Sequence, residues 1–260
     1  MASLSARALA GLPELRAGDD LAALIAEAAA TDGEELRDGQ LVLIAHKVVS
    51  KAEGAVVSLG DVQPGERALE LAARLTAEGT GEVRDPRVVQ VVLDQSAEIV
   101  RAERGVLISR SHHGFLCANA GVDASNAADE ETLIVLPRDP DGSARRLRAR
   151  LRELSGVRVG VLISDSFGRA WRHGQLDVAI GLAGMQPLED WRGRCDARGM
   201  ELRATWLAVA DAAAALGELV RAKDSREPVV LVDGLERFLS DEDGPGAAAL
   251  LRPLHEDMFR

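Results

Sequence analysis

Two stretches of the chain are apolar, rich in β-branched residues and short. Leu41 to Val49 (LVLIAHKVV) and Val157 to Ser164 (VRVGVLIS) both read as buried strands. Each runs straight into polar residues, Ser50-Lys51-Ala52-Glu53-Gly54 after the first and Asp165-Ser166-Phe167-Gly168-Arg169 after the second. Groups able to do chemistry therefore stand at strand exits. Pro64 to Ala77 and Asp85 to Val100 carry apolar residues at helical spacing, with Gly79, Gly81 and Pro86 marking the break between them. Short strands are expected at Val106–Ser109, Phe115–Cys117, Thr132–Leu136, Val178–Leu182 and Val229–Val232. Helices are expected at Asp139–Leu154, Ala204–Arg221 and, after a flexible Asp241–Gly246 break, Ala247–Met258. In the helix from Asp139, Ala144, Leu147, Leu151 and Leu154 form the apolar stripe, and Arg145, Arg146, Arg148, Arg150 and Arg152 read as a solvated face. No repeat or low-complexity linker divides the chain. Helices and strands interleave irregularly, so the expected class is α+β with mixed sheets.

Composition narrows the function. At 260 residues a folded chain buries roughly 70–75% of its unfolded surface, enough for a substantial core. A net charge of −11 argues against a phosphate-backbone footprint, and 3% aromatics without a tyrosine argue against base-stacking platforms, so no nucleic-acid partner is expected. The most apolar long stretch, Ala204 to Val220, is interrupted by Asp211, Gly217 and Glu218, so no membrane span is expected. Cys117 and Cys195 have no paired spacing, and no leader pattern opens the chain; a soluble protein of the cytoplasm is the expectation.

Neither GxxxxGK[ST] nor a strand-linked GxGxxG occurs, and no His/Cys pair has zinc spacing. A bound metal would need hard oxygen ligands, for which Asp123 and Asp165 are the best candidates, although either could equally cap a turn or helix. Lys51 could place a point charge on a phosphate, or simply pair with Glu53 on the surface; His46 and Lys47 are expected to alternate along the first strand. His112 and His113 could serve as acid or base, or bond to a turn's backbone. Arg169 and Arg172, beside Trp171, could clamp an anion or stand in solvent, and Cys117 is expected merely to pack.

Four segments taken together go further. Lys47–Gly54 (KVVSKAEG), His113–Asn126 (HGFLCANAGVDASN), Asp139–Ala144 (DPDGSA) and Ser164–Arg169 (SDSFGR), the last followed by Trp171-Arg172 and Gly174-Gln175, resemble the F420-0:gamma-glutamyl ligase family in wording, order and spacing. The resemblance runs from Gly11-Leu12-Pro13 to about Gly234. It implies an α+β fold in an intertwined homodimer. The implied activity is a GTP-driven addition of L-glutamate to coenzyme F420-0 that needs divalent metal, Mg2+ or Mn2+ with two ions per site, and a monovalent cation such as K+. On the matching positions, Gly11, Leu12, Pro13 and Glu14 look like a GTP-contacting loop, His46, Lys47 and Asn126 like further nucleotide contacts, and Lys51 like the nucleotide-binding lysine. Asp123 and Asp165 look like ligands of one metal, and Ser166 stands where a hydroxyl helps hold a second. With Lys51, the two aspartates form the implied catalytic set. The resemblance places the ligase domain at residues 1–240, with room for two interleaved subdomains, and a helical tail at 241–260.

The chain departs from that pattern in three places. Val220–Pro228 (VRAKDSREP) stands where some similar proteins carry a glycine- and acid-rich loop for the nucleotide and second metal. Asp233 replaces an arginine, and 260 residues leave no room for the nitroreductase-like domain fused to some bacterial members. Activation of the acceptor's lactyl carboxylate as an acyl phosphate, followed by attack of glutamate's α-amine, is the implied chemistry. Metal-dependent hydrolysis of a nucleotide or phosphoester, and deazaflavin binding without catalysis, are the alternatives.

Overall fold

The computed structural model describes residues 3–258 apart from Asp32, Glu34, 80–82, Asn126 and Ala128. Gly81 and Asn126, both named above, therefore lie outside the described residues. In chain order the elements open with β1 (Ser5–Leu9), α1 (Leu21–Thr31), β2 (Leu41–Ala45) and α2 (His46–Ala52). They continue with β3 (Val56–Ser58), α3 (Glu66–Glu78), α4 (Pro86–Asp94), β4 (Ser96–Glu103), β5 (Val106–Ser111), β6 (Leu116–Ala118) and β7 (Thr132–Ile134). The last part holds α5 (Pro140–Ser155), β8 (Gly160–Arg169), β9 (Arg172–Ala183), β10 (Leu188–Asp190), β11 (Trp206–Ala208), α6 (Val209–Val220) and β12 (Val229–Asp233). The architecture is mixed α+β with several sheets.

A five-stranded sheet in the order β1-β12-β2-β8-β9 carries the main core. β2 and β8 pair in parallel, Leu41 opposite Gly160 through Ala45 opposite Ser164, and the other neighbours are antiparallel. Because side chains alternate across a strand, this sheet is apolar on both faces. Val42, Ile44, Val161, Ile163 and Leu231 meet Ile25 of α1 and Ala144 and Leu151 of α5, whereas Leu41, Leu43, Leu162, Val230 and Val232 meet Val209, Ala210, Ala213 and Ala214 of α6. A third core gathers Leu59, Leu75 of α3, Val89 and Val92 of α4, Leu107 and Leu133. It belongs to the chain between α2 and α5, with the pair β3-β7 and the sheet β4-β5-β6.

Several boundaries differ from the sequence expectation, each for a tertiary reason. The first apolar run is extended only to Ala45, whose N–H reaches Pro228 O just before β12; past that point β12 offers no partner and His46 opens α2. His46 and Lys47 are thus successive residues of a helical turn, not alternating strand positions. The expected helix from Asp85 stops at Asp94, because Ser96 to Glu103 finds strand partners along β5. Asp165 to Arg169 is not an exit loop: β8 continues through it, paired with β9 as far as Arg169 opposite Arg172. Trp206–Ala208 pairs with β10 before α6 begins. The segment from Ala247 forms two short 3-10 turns, Ala247–Leu250 and Leu254–Glu256, separated by Pro253.

α5 follows its sequence signals closely. The Asp139 carboxylate accepts Gly142 N–H at 2.9 Å, Pro140 occupies the first turn and Gly156 closes the helix at φ 74°. Its arginines are not all solvated. Arg148 is partly buried and donates to Val159 O at 2.9 Å, Asp243 at 2.8 Å and Ser240 O at 2.6 Å, which anchors the 240–243 segment where a flexible break was expected. Across the helix start, Gly181 of β9 lies so close that a β-carbon there would strike the Pro140 carbonyl. Gly181→Ala should therefore cost about 1–3 kcal/mol of stability. A urea denaturation series would read the loss as a lower midpoint, and an unchanged midpoint would show that α5 can shift off β9 freely.

Candidate active site

The parallel register of β2 and β8 brings the two polar stretches side by side. Ala45 pairs with Ser164, so the next residues, His46 and Asp165, are neighbours. The His46 ring is buried; its Nδ1 lies 3.4 Å from Ser50 Oγ, and its Nε2 lies 3.3 Å from Asp165 Oδ1 without making a hydrogen bond. The same Asp165 oxygen accepts Ser166 N–H at 2.8 Å.

Asp123 arrives from a different part of the chain. After β6, Asn119, Ala120 and Gly121 all take left-handed backbone, φ 53°, 53° and 75°. That conformation costs a non-glycine residue roughly 1–2 kcal/mol, so the turn is held by its surroundings. Asp123 then exchanges both backbone hydrogen bonds with Ile134 of β7, at 2.9 and 2.8 Å. Its carboxylate accepts Lys47 Nζ at 2.7 Å and Ser125 N–H at 2.6 Å, and Lys47 also reaches Ser125 Oγ at 2.5 Å. Burial works to raise this carboxyl, but the Lys47 ammonium and the Ser125 N–H outweigh it and hold it below the usual carboxylate range. Asp123 and Asp165, 42 positions apart by their numbers in the sequence, thus stand against the consecutive residues Lys47 and His46.

Lys51 lies on the next turn of the same helix. It is paired with Glu14, not with Glu53, which instead accepts Ser143 Oγ at 2.6 Å and Arg146 at 2.7 Å. The Lys51 side chain is 12% exposed and that of Glu14 76%. The Gly11–Glu14 loop therefore sits over α2, fastened by partly buried Leu12 against the main core and by Gly18 N–H on Ala52 O at 2.9 Å.

Ser166 stands apart from this group. Strand alternation turns Asp165 toward α2 and Ser166 toward the end of α6. There Ser166 Oγ donates to Asp177 Oδ1 at 2.6 Å and accepts from Lys223 Nζ at 2.7 Å. Asp177 is fully buried, receives Ser164 Oγ at 3.0 Å and is paired with Arg221; its own N–H goes to Glu218 at 2.9 Å. Sequence reading missed this cluster. A lone charged residue within the apolar run from Val178 to Leu182 and its flank was the available signal for Asp177; nothing local marks Arg221 or Lys223 as its partners.

The other candidates have ordinary partners. His112 Nε2 lies 2.9 Å from Asp94 O, and His113 Nε2 lies 2.9 Å from Pro137 O, its ring stacked on Phe115. Arg169 donates to His173 O at the exposed β8-β9 tip. Asp233 accepts Gln40 Nε2 at 2.9 Å and Arg37 at 3.1 Å at the end of β12. Cys117 is buried, and burial, with the Asp165 charge nearby, pushes its thiol up to about 12.

No three His, Cys, Asp or Glu side chains gather as a metal cage among the described residues. Mg2+ does not need one, since it keeps several waters and binds through one or two carboxylates plus substrate phosphates. Asp123 and Asp165 are hard oxygen donors and fit such a site by donor chemistry. The Ser166 side does not fit a second divalent ion, because Arg221 and Lys223 already bring two cations to it.

The cysteines give a direct check on this packing. Native protein treated with iodoacetamide near pH 8 should be alkylated at exposed Cys195 and spared at Cys117, and both should react in denaturant. Rapid native modification of Cys117 would show that the β6 strand beside Asp165 is open to solvent.

Comparison with known proteins agrees on one family. Residues 11–234 match the family model described as F420-0:Gamma-glutamyl ligase. A coenzyme F420:L-glutamate ligase of Methanopyrus kandleri is 47% identical over 249 residues, 95% of this chain and 94% of the relative. Proteins of the same name from Methanothermobacter thermautotrophicus, 43% over 251 residues (96% of each chain), and Halobacterium salinarum, 43% over 258 residues (99% of this chain, 96% of the relative), are similar along nearly their whole length.

Proposed function

The chain belongs to the F420-0:gamma-glutamyl ligase family, and from that premise we propose that it joins L-glutamate to coenzyme F420-0 through an amide bond, using GTP. The observation that carries the reading is the pairing of Asp165 with His46 and of Asp123 with Lys47 at the end of β2. These pairings set two carboxylates against neighbouring residues of α2, the helix that also carries Lys51, and phosphoryl transfer draws on groups of this kind.

In this proposal the acceptor's lactyl carboxylate takes the γ-phosphoryl group of GTP, giving an acyl phosphate and GDP. Glutamate's α-amine then attacks the acyl carbon, phosphate leaves and the amine loses a proton. Asp123 and Asp165 would hold a divalent cation, Mg2+ or Mn2+, which would supply charge neutralisation during the transfer. Lys51 steadies the nucleotide phosphates. Glu14 is mostly exposed and holds the Lys51 ammonium where an incoming phosphate would take it. His46, buried beside Ser50, lies against the Asp165 carboxylate. Lys47 keeps Asp123 ionised. Alignment of the acyl phosphate with the amine supplies much of the remaining acceleration.

A K+ requirement, addition of further γ-linked glutamates and a setting in the cytoplasm belong to the same proposal; no helix of the described residues is long and apolar enough to cross a membrane. So does an intertwined homodimer, supported by large apolar side chains left exposed on the 188–208 excursion, Met200 at 69% and Trp206 at 51%.

The test is incubation with GTP, Mg2+ or Mn2+, glutamate and acceptor, followed by mass spectrometry. A mass gain of one glutamyl unit is expected, and Asp123→Asn or Asp165→Asn should slow it roughly 100- to 1,000-fold or more while the protein stays folded. Phosphate release without acceptor and glutamate would favour a hydrolase. Tight acceptor binding with no GTP-dependent gain would favour a non-catalytic binder.

A further inference from the structure

The cluster on the far face of β8 does not enter the mechanism above, yet its geometry is specific. The Lys223 ammonium lies 2.7 Å from Ser166 Oγ, 3.1 Å from Glu218 Oε1 and 3.9 Å from Asp177 Oδ1. Three hard oxygens from β8, α6 and β9 thus face one point, and the chain's own cation occupies it. Ser166 gives its proton to Asp177, and the other Asp177 oxygen is taken by Ser164 and Arg221.

We propose that Lys223 is a built-in cation: its ammonium fills the Ser166, Glu218 and Asp177 cradle, so this face of β8 takes no metal ion and the site works with a single divalent ion. The inference rests on the ligase reading for its meaning, but its physical basis is local. Asp177 and Glu218 are balanced by Arg221 and Lys223, two negative charges against two positive ones. A divalent ion added there would leave an excess of positive charge beside the fully buried Asp177. A tethered ammonium needs no capture from solution and cannot be chelated away. Ser166 is therefore a positioning residue for Lys223, and the positive charge across the strand from Asp165 is permanent.

Removing the lysine should reopen the cradle. The Lys223 side chain is 68% exposed, so Lys223→Ala is expected to fold, which circular dichroism checks. With Mn2+ alone as the probe and free ion read by electron paramagnetic resonance, Lys223→Ala should bind about one more Mn2+ per chain than the unmodified protein. The extra ion should disappear when Glu218→Gln is added, a change that keeps an oxygen to accept the Asp177 N–H. Unmodified protein that already holds an ion removed by Ser166→Ala or Glu218→Gln would overturn the proposal, as would no gain in Lys223→Ala. Asp123→Asn run in parallel reports on the other face. Absence of any Asp123-dependent ion would contradict the ligase site while leaving the Lys223 comparison to stand or fall on its own count.

Discussion

One register decides where the chemistry of this molecule can be. β2 and β8 are the parallel pair of the main sheet, and their alignment sets Ala45 against Ser164. Two short apolar runs of the chain end level with one another, and the next residue of each is brought within contact of the other: His46 after Ala45, Asp165 after Ser164. Slipping that register by one residue would turn Asp165 to the α6 face and bury Ser164 or Ser166 against α2. Apolar side chains on both faces of the sheet oppose such a slip, since Val161 and Ile163 would exchange places with Leu162. The hydrophobic core therefore holds the polar site in place.

From that fixed point the two faces of β8 diverge. On the α2 face, carboxylates predominate and each is answered by one partner from the helix, Lys47 for Asp123 and His46 for Asp165. On the α6 face a buried aspartate has drawn in Arg221 and Lys223 from the loop before β12 and uses both. Burial of a charge is tolerable only with partners of this kind. Consecutive residues of one strand, Asp165 and Ser166, hence serve opposite electrostatic environments, and the alternation of the strand alone separates them.

Local signals were readable in the sequence, and long-range ones were not. α5 could be placed from Asp139, Pro140 and Gly156 because caps are short-range. The apolar run at Leu41 announced a strand, but not its end, since the switch to helix at His46 reflects where β12 begins, 183 positions further along by number. The continuation of β8 through Asp165–Arg169 depends on β9 as a partner, and polar residues there looked like loop for want of it. Residue chemistry picks out Asp123 and Asp165 as hard-oxygen donors, each with a plain structural alternative, whereas the Gly11–Glu14 loop is named through the family resemblance alone. Lys51 was expected beside Glu53 by proximity and is held by Glu14 through the fold. Arg221 and Lys223 appeared only as a departure from the family pattern, because their partner Asp177 is a property of the folded sheet.

The central claim is that Asp123 and Asp165 act at a single centre. The most direct measurement is a double-mutant cycle on the ligation rate, with Asp123→Asn, Asp165→Asn and the pair compared under single-turnover conditions. Residues that work as one unit are strongly non-additive, so the double variant should ligate about as slowly as the worse single one. Losses that multiply, each variant taking its full toll in the presence of the other, would place the two carboxylates in separate roles and contradict the account.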